Sequence, residues 1–336
     1  MLRWSSSFPI PFDGDQYDPL WAAQLDNNLY IASAGYYTPK EQRMDLIMFD
    51  TEKEKFSTVT CKCDSQVPSE IISMTNIGNV LYIWGNAVDD HQNYDRTLYK
   101  MDITSGLEWT KVITLSFEGR ISNVAIVENL MYLTVEFDFL TLFTIDLTSR
   151  IFTRNTLKDE VSEFVFLTVI NDKKLCLIEH DGGYRTVSMI ENRKLIQVAS
   201  EEYPHYKSQH FPHNFSDLGC NVLYFSEFDG APVTFFEIFD FESKTWTRSA
   251  FVELLSWYKT AHNCLKIDNK VYKIMESHEP YKFEVRVLEL LPKLSTICLL
   301  NLVDRGDFTE SKSQLPFNLR NTFDRMIDWR LAELQK

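Results

Sequence analysis

The chain has 336 residues, 44% hydrophobic and 14% aromatic, enough to bury one large or two ordinary domains. Its formal net charge of −14 argues against a nucleic-acid ligand, because neutralising phosphates requires clustered Lys and Arg. The N-terminus lacks the apolar core of a signal peptide, and no apolar run reaches the roughly 18 residues of a membrane span. We therefore predict a soluble protein of the cytoplasm or nucleus that does not bind membranes.

A degenerate repeat runs through the first part of the chain. A short apolar strand, opening after Asn or Lys, recurs with a period of 44 to 52 residues, the size of one four-stranded propeller blade. Its centres are Tyr30, Tyr82, Tyr132, Cys176, Tyr224 and Tyr272. The spacing predicts that each centre lies in the second strand of a blade.

A second landmark follows each centre at a steady offset. It is an apolar strand that ends in an acid, then a polar turn, then an aromatic residue that opens the next strand. The acids of the clearest copies are Asp50, Asp102, Asp146 and Asp240, and their aromatics are Phe56, Trp109, Phe152 and Trp246. This order predicts a third strand, a hairpin turn and a fourth strand in each blade.

The N-terminal segment supplies a strand that the sixth repeat lacks. Trp4 lies 52 residues before Phe56, and Phe56 lies 53 before Trp109, so residues 2–8 occupy the position of an outer strand. We predict that they pair with residues from about 283 to 290 and close the ring. The predicted fold is all-β: a six-bladed β-propeller over residues 1–290, followed by a small α-helical module over residues 291–336.

The strand–turn–strand order, with Tyr in the second strand and an aromatic residue after the third, resembles kelch repeats. The chain departs from that family because it lacks the paired glycines, of which Gly85 is the best remnant. The propeller architecture depends on the repeat spacing and not on this resemblance.

Several clusters of reactive residue types have ordinary structural explanations. His205, His210 and His213 lie in a segment interrupted by prolines, which predicts a loop and not the helical spacing of a metal site. Cys61 and Cys63 have no second pair at zinc-finger spacing, and the six scattered cysteines fit buried free thiols. No nucleophile turn is present. We expect no catalytic residue, metal or cofactor.

The predicted substrate surface is one rim of the propeller, where loops between the second and third strands meet. Aromatic residues there are candidate anchors, and acidic residues would attract a basic segment or a zinc-finger-type domain of a protein substrate. The candidate substrate-binding residues are Tyr36, Tyr37, Asp89, Asp90, Tyr94, Tyr184, Tyr206, Phe228 and Asp229. Each is also compatible with an ordinary role in a loop.

Near the C-terminus the apolar pattern changes to helical spacing. Leu294, Cys298 and Leu302 fall in one stripe of a short helix over residues 292–303, which Pro292 suits at its first turn. Such a helix is apolar nearly all round, so it needs burial on more than one face. A further helical pattern follows over residues 315–336. The alternative is a terminal helix that only packs against the propeller.

The pattern Leu294-x-x-x-Cys298-x-x-x-Leu302, followed by Leu315-Pro316-Phe317-Asn318-Leu319, resembles a SOCS box. The resemblance covers about residues 291–336. It implies that Leu294, Ile297, Cys298 and Leu302 bind elongin C, which brings elongin B, and that Leu315, Pro316 and Leu319 contact a cullin that carries a RING protein. Because a second proline is missing after Pro316, cullin 2 is preferred over cullin 5.

On this resemblance the chain is the substrate receptor of a ubiquitin ligase and performs no chemistry itself. It would hold a substrate near a ubiquitin-charged enzyme and so lead to ubiquitination and proteasomal degradation. The alternative is a propeller scaffold that assembles protein partners without a ubiquitin role.

Overall fold

A computed structural model describes the chain from Trp4 to Glu289 with gaps, and every regular element of the described residues is a β-strand. The described residues are 4–11, 20–32, 37–38, 43–63, 70–86, 95–117, 119–136, 139–159, 162, 164–170, 173–181, 183–202, 215–217, 221–227, 234–241, 243–249, 264–267, 270–276 and 283–289. The chain divides into two compact units, residues 2–288 and a second made of Met1 with residues 289–336. The predicted helical module over residues 291–336 lies outside the described residues.

The strands are short and follow one another along the chain. They are β1 (Trp4–Pro9), β2 (Trp21–Leu25), β3 (Asn28–Ala32), β4 (Tyr37–Thr38), β5 (Arg43–Met44), β6 (Leu46–Asp50), β7 (Lys55–Val59), β8 (Lys62–Cys63), β9 (Glu70–Ile77), β10 (Val80–Asn86), β11 (Asp95–Asp102), β12 (Glu108–Ser116), β13 (Arg120–Val127), β14 (Leu130–Glu136), β15 (Leu140–Asp146), β16 (Phe152–Lys158), β17 (Phe164–Ile170), β18 (Lys174–Asp181), β19 (Tyr184–Glu191), β20 (Lys194–Glu202), β21 (Phe215–Asp217), β22 (Asn221–Glu227), β23 (Thr234–Asp240), β24 (Thr245–Ser249), β25 (Cys264–Ile267), β26 (Lys270–Glu276) and β27 (Phe283–Glu289).

These strands form sheets. We number the sheets one to six by the strand that begins each repeat unit along the chain, which is β2, β9, β13, β17, β21 and β25, and we call these the first strands. Sheet one has the order β2-β3-β6-β7, sheet three β13-β14-β15-β16, sheet four β17-β18-β19-β20, sheet five β21-β22-β23-β24 and sheet six β1-β27-β26-β25. Sheet two is built on β9, β10, β11 and β12. The first strands β2, β9, β13, β17, β21 and β25 contact one another in this cyclic order, and β25 contacts β2. The assembly is therefore a β-propeller.

The predicted repeat centres all lie in second strands. Tyr30 is in β3, Tyr82 in β10, Tyr132 in β14, Cys176 in β18, Tyr224 in β22 and Tyr272 in β26. The predicted repeat spacing is thus confirmed.

The predicted six-bladed propeller is corrected at sheet two: the described residues form five four-stranded blades and not six, because the sheet built on β9–β12 has a different size and order. Sheet two has seven strands, in the order β4-β5-β8-β12-β11-β10-β9. Its strand β12 pairs in parallel with β8, with Trp109 opposite Cys63, and β8 pairs with β5. The short strands β4, β5 and β8 come from connections of sheet one, and they cover an edge that would otherwise be open.

Closure of the ring by the N-terminal segment is confirmed. Strand β1 pairs antiparallel with β27, from Trp4 opposite Leu288 to Pro9 opposite Glu284. The amide of Ile10 donates to the carbonyl of Phe283 at 2.8 Å and extends the ladder by one residue. The two ends of the propeller therefore share sheet six.

The hydrophobic core consists of clusters between neighbouring sheets. Between sheets six and one, the fully buried ring of Phe49 lies 5.1 Å from the ring of Phe8 in β1 and 4.7 Å from Phe56. The ring of Tyr272 in β26 lies 6.3 Å away. The N-terminal strand thus contributes an aromatic side chain to the core as well as a backbone ladder.

The repeated acid caps the turn between the third and fourth strands. The Asp146 carboxylate accepts the amides of Thr148 and Ser149 at 2.8 and 3.0 Å, and Asp50 and Asp102 accept turn amides in the same way. The pKa of each Asp lies below its ordinary value because hydrogen bonds favour the ionised form: first from the Lys53 ammonium to Asp50, from the Thr104 hydroxyl to Asp102 and from the Ser149 amide to Asp146, and then from the other turn amides. The repeated Asp is therefore explained by the backbone of the turn.

The same turn needs a left-handed residue before the fourth strand. Glu54, Leu107, Arg150 and Lys244 occupy this position with φ between 49° and 58°, although none of them is glycine. A side chain in this region strains the backbone by roughly 1–2 kcal/mol.

We therefore expect Lys244→Gly, at an exposed position, to stabilise the protein by about 1 kcal/mol, since relief of the strain exceeds the added entropy of the unfolded chain. Urea unfolding of the variant and the parent measures the effect. Thr245→Gly, one residue later in β24, is the matched control and should destabilise. Lower stability of Lys244→Gly would refute the explanation.

Candidate protein-binding rim

The two ends of the sheets differ in their connections. The carbonyls of Asn27, Asn79 and Asn129, in turns between first and second strands, accept the amides of Thr51, Ile103 and Leu147 in turns between third and fourth strands, at 3.0, 3.1 and 3.0 Å. These tight turns therefore share one end. Because the strands are antiparallel, the connections from second to third strands leave from the opposite end. That end is the rim predicted to bind a substrate.

One of the predicted rim residues is described in full. Tyr184 opens β19 at the hairpin from Asp181 and is 55% exposed. Tyr37 lies in the short strand β4 of sheet two. The other candidates lie outside the described residues: Tyr36, Asp89, Asp90, Tyr94, Tyr206, Phe228 and Asp229. The elongin and cullin candidates Leu294, Ile297, Cys298, Leu302, Leu315, Pro316 and Leu319 also lie outside them.

Tyr184 pairs with acidic residues on both neighbouring strands. It is directly opposite Asp181 on one side and Glu202 on the other, and Glu202 is exposed. Directly opposed side chains in a sheet lie about 5 Å apart at their Cβ atoms. An exposed phenol beside a carboxylate suits a ligand that brings both an apolar surface and a positive charge.

The next residue, Arg185, fixes the base of this hairpin. Its side chain is almost fully buried, and its guanidinium lies 3.5 Å from the centre of the Trp246 ring in sheet five. The Arg185 Nε donates to Glu201 Oε1 at 3.1 Å, and Nη2 donates to the same oxygen. The charge of Arg185 is thus balanced by a carboxylate and an aromatic face, and its contact with Trp246 joins sheets four and five.

A second polar group joins sheet four to sheet three. The hydroxyl of Ser162 donates to Glu179 Oε1 at 2.7 Å, and the Lys158 ammonium lies 3.3 Å from the same oxygen. Lys158 Nζ also lies 3.1 Å from the Ser162 hydroxyl. The Tyr184 hairpin is therefore held on both sides by buried or half-buried ionic contacts.

His180 lies under the hairpin, directly opposite Arg185, and is 1% exposed. Its ring meets the Phe166 ring edge-on at 6.5 Å. Burial, and then the nearby Arg185 charge, lower the pKa of His180 to about 3. The imidazole is therefore neutral at physiological pH.

The buried ionic residues of the rim were not among the sequence predictions. The sequence does contain a shared pattern: an Arg-Thr pair occupies the second and third positions of the third strand in both sheet two and sheet four. Arg96 in β11 repeats the role of Arg185: its guanidinium lies 5.2 Å from the Phe117 ring centre, and Nη2 donates to the Gly119 carbonyl at 2.8 Å. In both sheets, a buried Arg near the start of the third strand thus contacts an aromatic ring.

The other reactive residue types of the sequence lie partly within the described residues. Cys61, Cys63 and Cys176 are buried free thiols, as predicted, and burial raises the pKa of Cys176. Within the described residues, no group of three or more His, Cys, Asp or Glu side chains is placed to hold a metal ion. The same part of the chain contains no helix long and apolar enough to cross a membrane. His205, His210 and His213 lie outside it.

Comparisons with known proteins identify no family. No protein-family model matches the chain, and no curated protein matches it. Among solved structures it is similar to the crystal structure of TolB from Acinetobacter baumannii, with 14% identity over 82% of this chain and a TM-score of 0.45. The chain spans 66% of that TolB chain. A similarity at this level carries no functional inference.

Proposed function

We propose that this chain is a non-enzymatic receptor whose propeller binds a protein ligand at the Tyr184 rim. The described residues form a β-propeller, a scaffold consistent with protein–protein interaction. The observation that supports the proposal is the exposed Tyr184, opposite Glu202, on a hairpin fixed by Arg185 and Glu179. An exposed aromatic on a firm base loses little freedom on binding, which favours its use as an anchor.

The ligand that fits this rim is a basic peptide segment or small domain. Glu202 is exposed, Glu201 retains 41% side-chain exposure despite its contact with Arg185, and the whole chain carries a net charge of −14. Such a field attracts a positively charged partner and repels nucleic acid.

We further propose that the C-terminal segment recruits elongin C with elongin B, and through them cullin 2 and a RING protein. Support comes from the SOCS-box-like pattern of Leu294, Cys298 and Leu302, with Leu315 and Pro316 after it. The kelch-like repeat pattern is compatible with a substrate receptor of this kind. The chain would then present its ligand for ubiquitination, by proximity alone.

A second candidate is a propeller scaffold without a ubiquitin role. It is favoured because the proposed rim site lies within the described residues, so that binding there would not require the C-terminal segment. The two candidates differ in whether elongins accompany the protein.

Changing Leu294→Ser together with Cys298→Asn should abolish co-purification of elongins and a cullin from cells. Burial of one Leu contributes about 1.5–3 kcal/mol, so its loss alone weakens binding by roughly tenfold to a hundredfold. Affinity purification followed by mass spectrometry measures the result. Elongins retained by this variant would refute the assignment of Leu294 and Cys298, and absence of elongins from the parent protein would leave the scaffold function.

The matched control carries Tyr184→Ala with Glu202→Gln at the rim. It should keep the elongins and lose the protein ligand that accumulates when the proteasome is blocked. An unchanged ligand set in this control would refute the rim as the binding surface, whatever the outcome for the C-terminal variant.

A further inference from the structure

The outer edge of sheet three is open in the described part of the chain. Strand β16 is the last strand of that sheet, and no described strand pairs with its far side. At its start, Ile151 is 64% exposed and Phe152 is 49% exposed, two of the four large hydrophobic side chains that the described residues expose in this way. An apolar pair beside an open strand edge is a natural site for an added strand.

The hydrogen-bonding direction of β16 follows from one contact. The Ile151 carbonyl accepts the Asp146 amide at 2.9 Å, so this carbonyl points towards β15, while the Ile151 amide donates to the Ser149 hydroxyl at 3.4 Å. In an extended strand this direction alternates, and Phe152 and Arg154 therefore present their N–H and C=O groups outward. An added strand would find donors and acceptors at both residues.

In sheet two, an extra strand already pairs with the outer edge of the fourth strand. There β12 accepts β8 in parallel pairing, and the Lys62 amide donates to the Leu107 carbonyl at 2.9 Å. The propeller thus already accommodates an extra strand outside a fourth strand. In sheet three the corresponding place is open within the described residues.

The charge of this edge is opposite to that of the protein. Residues 147–158 include Arg150, Arg154 and Lys158 and no carboxylate, although the chain has a net charge of −14. Arg150 and Arg154 are exposed, and the Arg154 guanidinium lies 5.9 Å from the Phe143 ring centre. Lys158 is engaged with Glu179. Two guanidinium groups therefore flank the exposed Ile151 and Phe152.

The geometry points to β16 as a docking edge for an extended acidic peptide segment of a partner protein, which adds as a strand outside sheet three. Carboxylates of the segment pair with Arg154, on the same face of β16 as Phe152, and with Arg150 in the preceding turn, and its apolar side chains cover Ile151 on the opposite face. A second copy of this chain fits less well, because pairing β16 with itself would bring like charges together. The inference uses residues at a different place from the Tyr184 rim and does not depend on it.

The test uses the full-length protein and a short fluorescent peptide in which Glu alternates with Val. Fluorescence anisotropy should show saturable binding that weakens as salt rises, and a peptide with Lys in place of Glu should not bind. Arg150→Glu with Arg154→Glu should weaken binding by at least about tenfold, since two charge-assisted contacts are reversed. This double variant changes only exposed side chains, and circular dichroism checks its fold.

Two variants at Arg154 separate the effect of backbone pairing from the effect of the side-chain charge. Arg154→Ala removes the guanidinium, whereas Arg154→Pro also removes the outward N–H, and an edge strand tolerates proline. The affinity of Arg154→Pro for the Glu peptide should be at least about threefold lower than that of Arg154→Ala. Equal binding by the two variants would overturn strand addition.

Other outcomes would overturn the proposal as a whole. If neither peptide binds, the role left for Arg150 and Arg154 is to prevent self-association at an open strand edge. A dimer in analytical ultracentrifugation that Arg154→Pro dissolves would identify a second copy as the occupant. Unweakened binding of the Glu peptide by the charge-reversed variant would place its site elsewhere.

Discussion

Removal of residues 1–9 should lower the midpoint of thermal unfolding by about 10 °C or more, since a few kcal/mol shift the midpoint of a domain this large by that amount. The truncation deletes β1 and exposes the edge of β27. It also removes Phe8, whose ring lies 5.1 Å from the fully buried Phe49. Both the ladder and an interface between sheets six and one are lost.

Two controls separate these contributions. Removal of residues 1–3 alone, before β1 begins, should leave the midpoint close to that of the parent. Phe8→Ala keeps the ladder and should give an intermediate midpoint, because only the aromatic contact is lost. Differential scanning calorimetry measures all three. A truncation of residues 1–9 that unfolds at the parental temperature would contradict ring closure by β1.

Acidification from pH 7 to pH 5 should destabilise the protein by roughly 2 kcal/mol through His180 alone. The pKa of His180 is about 3 in the folded protein against an ordinary value of 6.5, so the unfolded chain binds the proton more tightly. The free energy of unfolding therefore falls as the pH drops below about 6.5, by about 1.4 kcal/mol per pH unit, until the pH approaches 3.

His180→Gln should remove this part of the pH dependence. Urea unfolding of the parent and the variant at pH 7 and pH 5 gives the difference directly. The turn carboxylates Asp50, Asp102 and Asp146 do not interfere, because their depressed pKa values confine their loss of stabilisation to pH below about 3.8. Equal pH dependence in the two proteins would show that His180 accepts a proton while folded.

The parts of the fold that recur along the chain were predictable from it. The Tyr30 to Tyr272 series marks second strands because its members recur at the spacing of one blade, and the repeated Asp marks a turn because its carboxylate must accept turn amides. The spacing of Trp4 from Phe56 was enough to predict the pairing of β1 with β27. Recurrence makes such features visible even when identity between repeats is low.

The parts that occur once were not predictable in this way. Strands β5 and β8 have two residues each, too few to show a period, and β8 pairs with a strand of the following repeat. The contact of Arg185 with Trp246 joins two sheets and depends on their packing, which no local pattern encodes. The Arg-Thr pairs of β11 and β19 were visible, but only the structure shows that both guanidinium groups are buried.

The pairing of β1 with β27 also bears on the order of events during synthesis. The Ser7 hydroxyl donates to Glu284 across a sequence separation of 277 residues. At about 5–20 residues per second, a ribosome needs roughly a quarter of a minute to a minute to span that distance. Through this interval the first strand to emerge has no partner, although β2 and the sheets after it can already form. The backbone hydrogen-bonding groups of β1 therefore stay without their β27 partners until almost all of β27 has left the exit tunnel. We expect the nascent chain to depend most on chaperones during this interval.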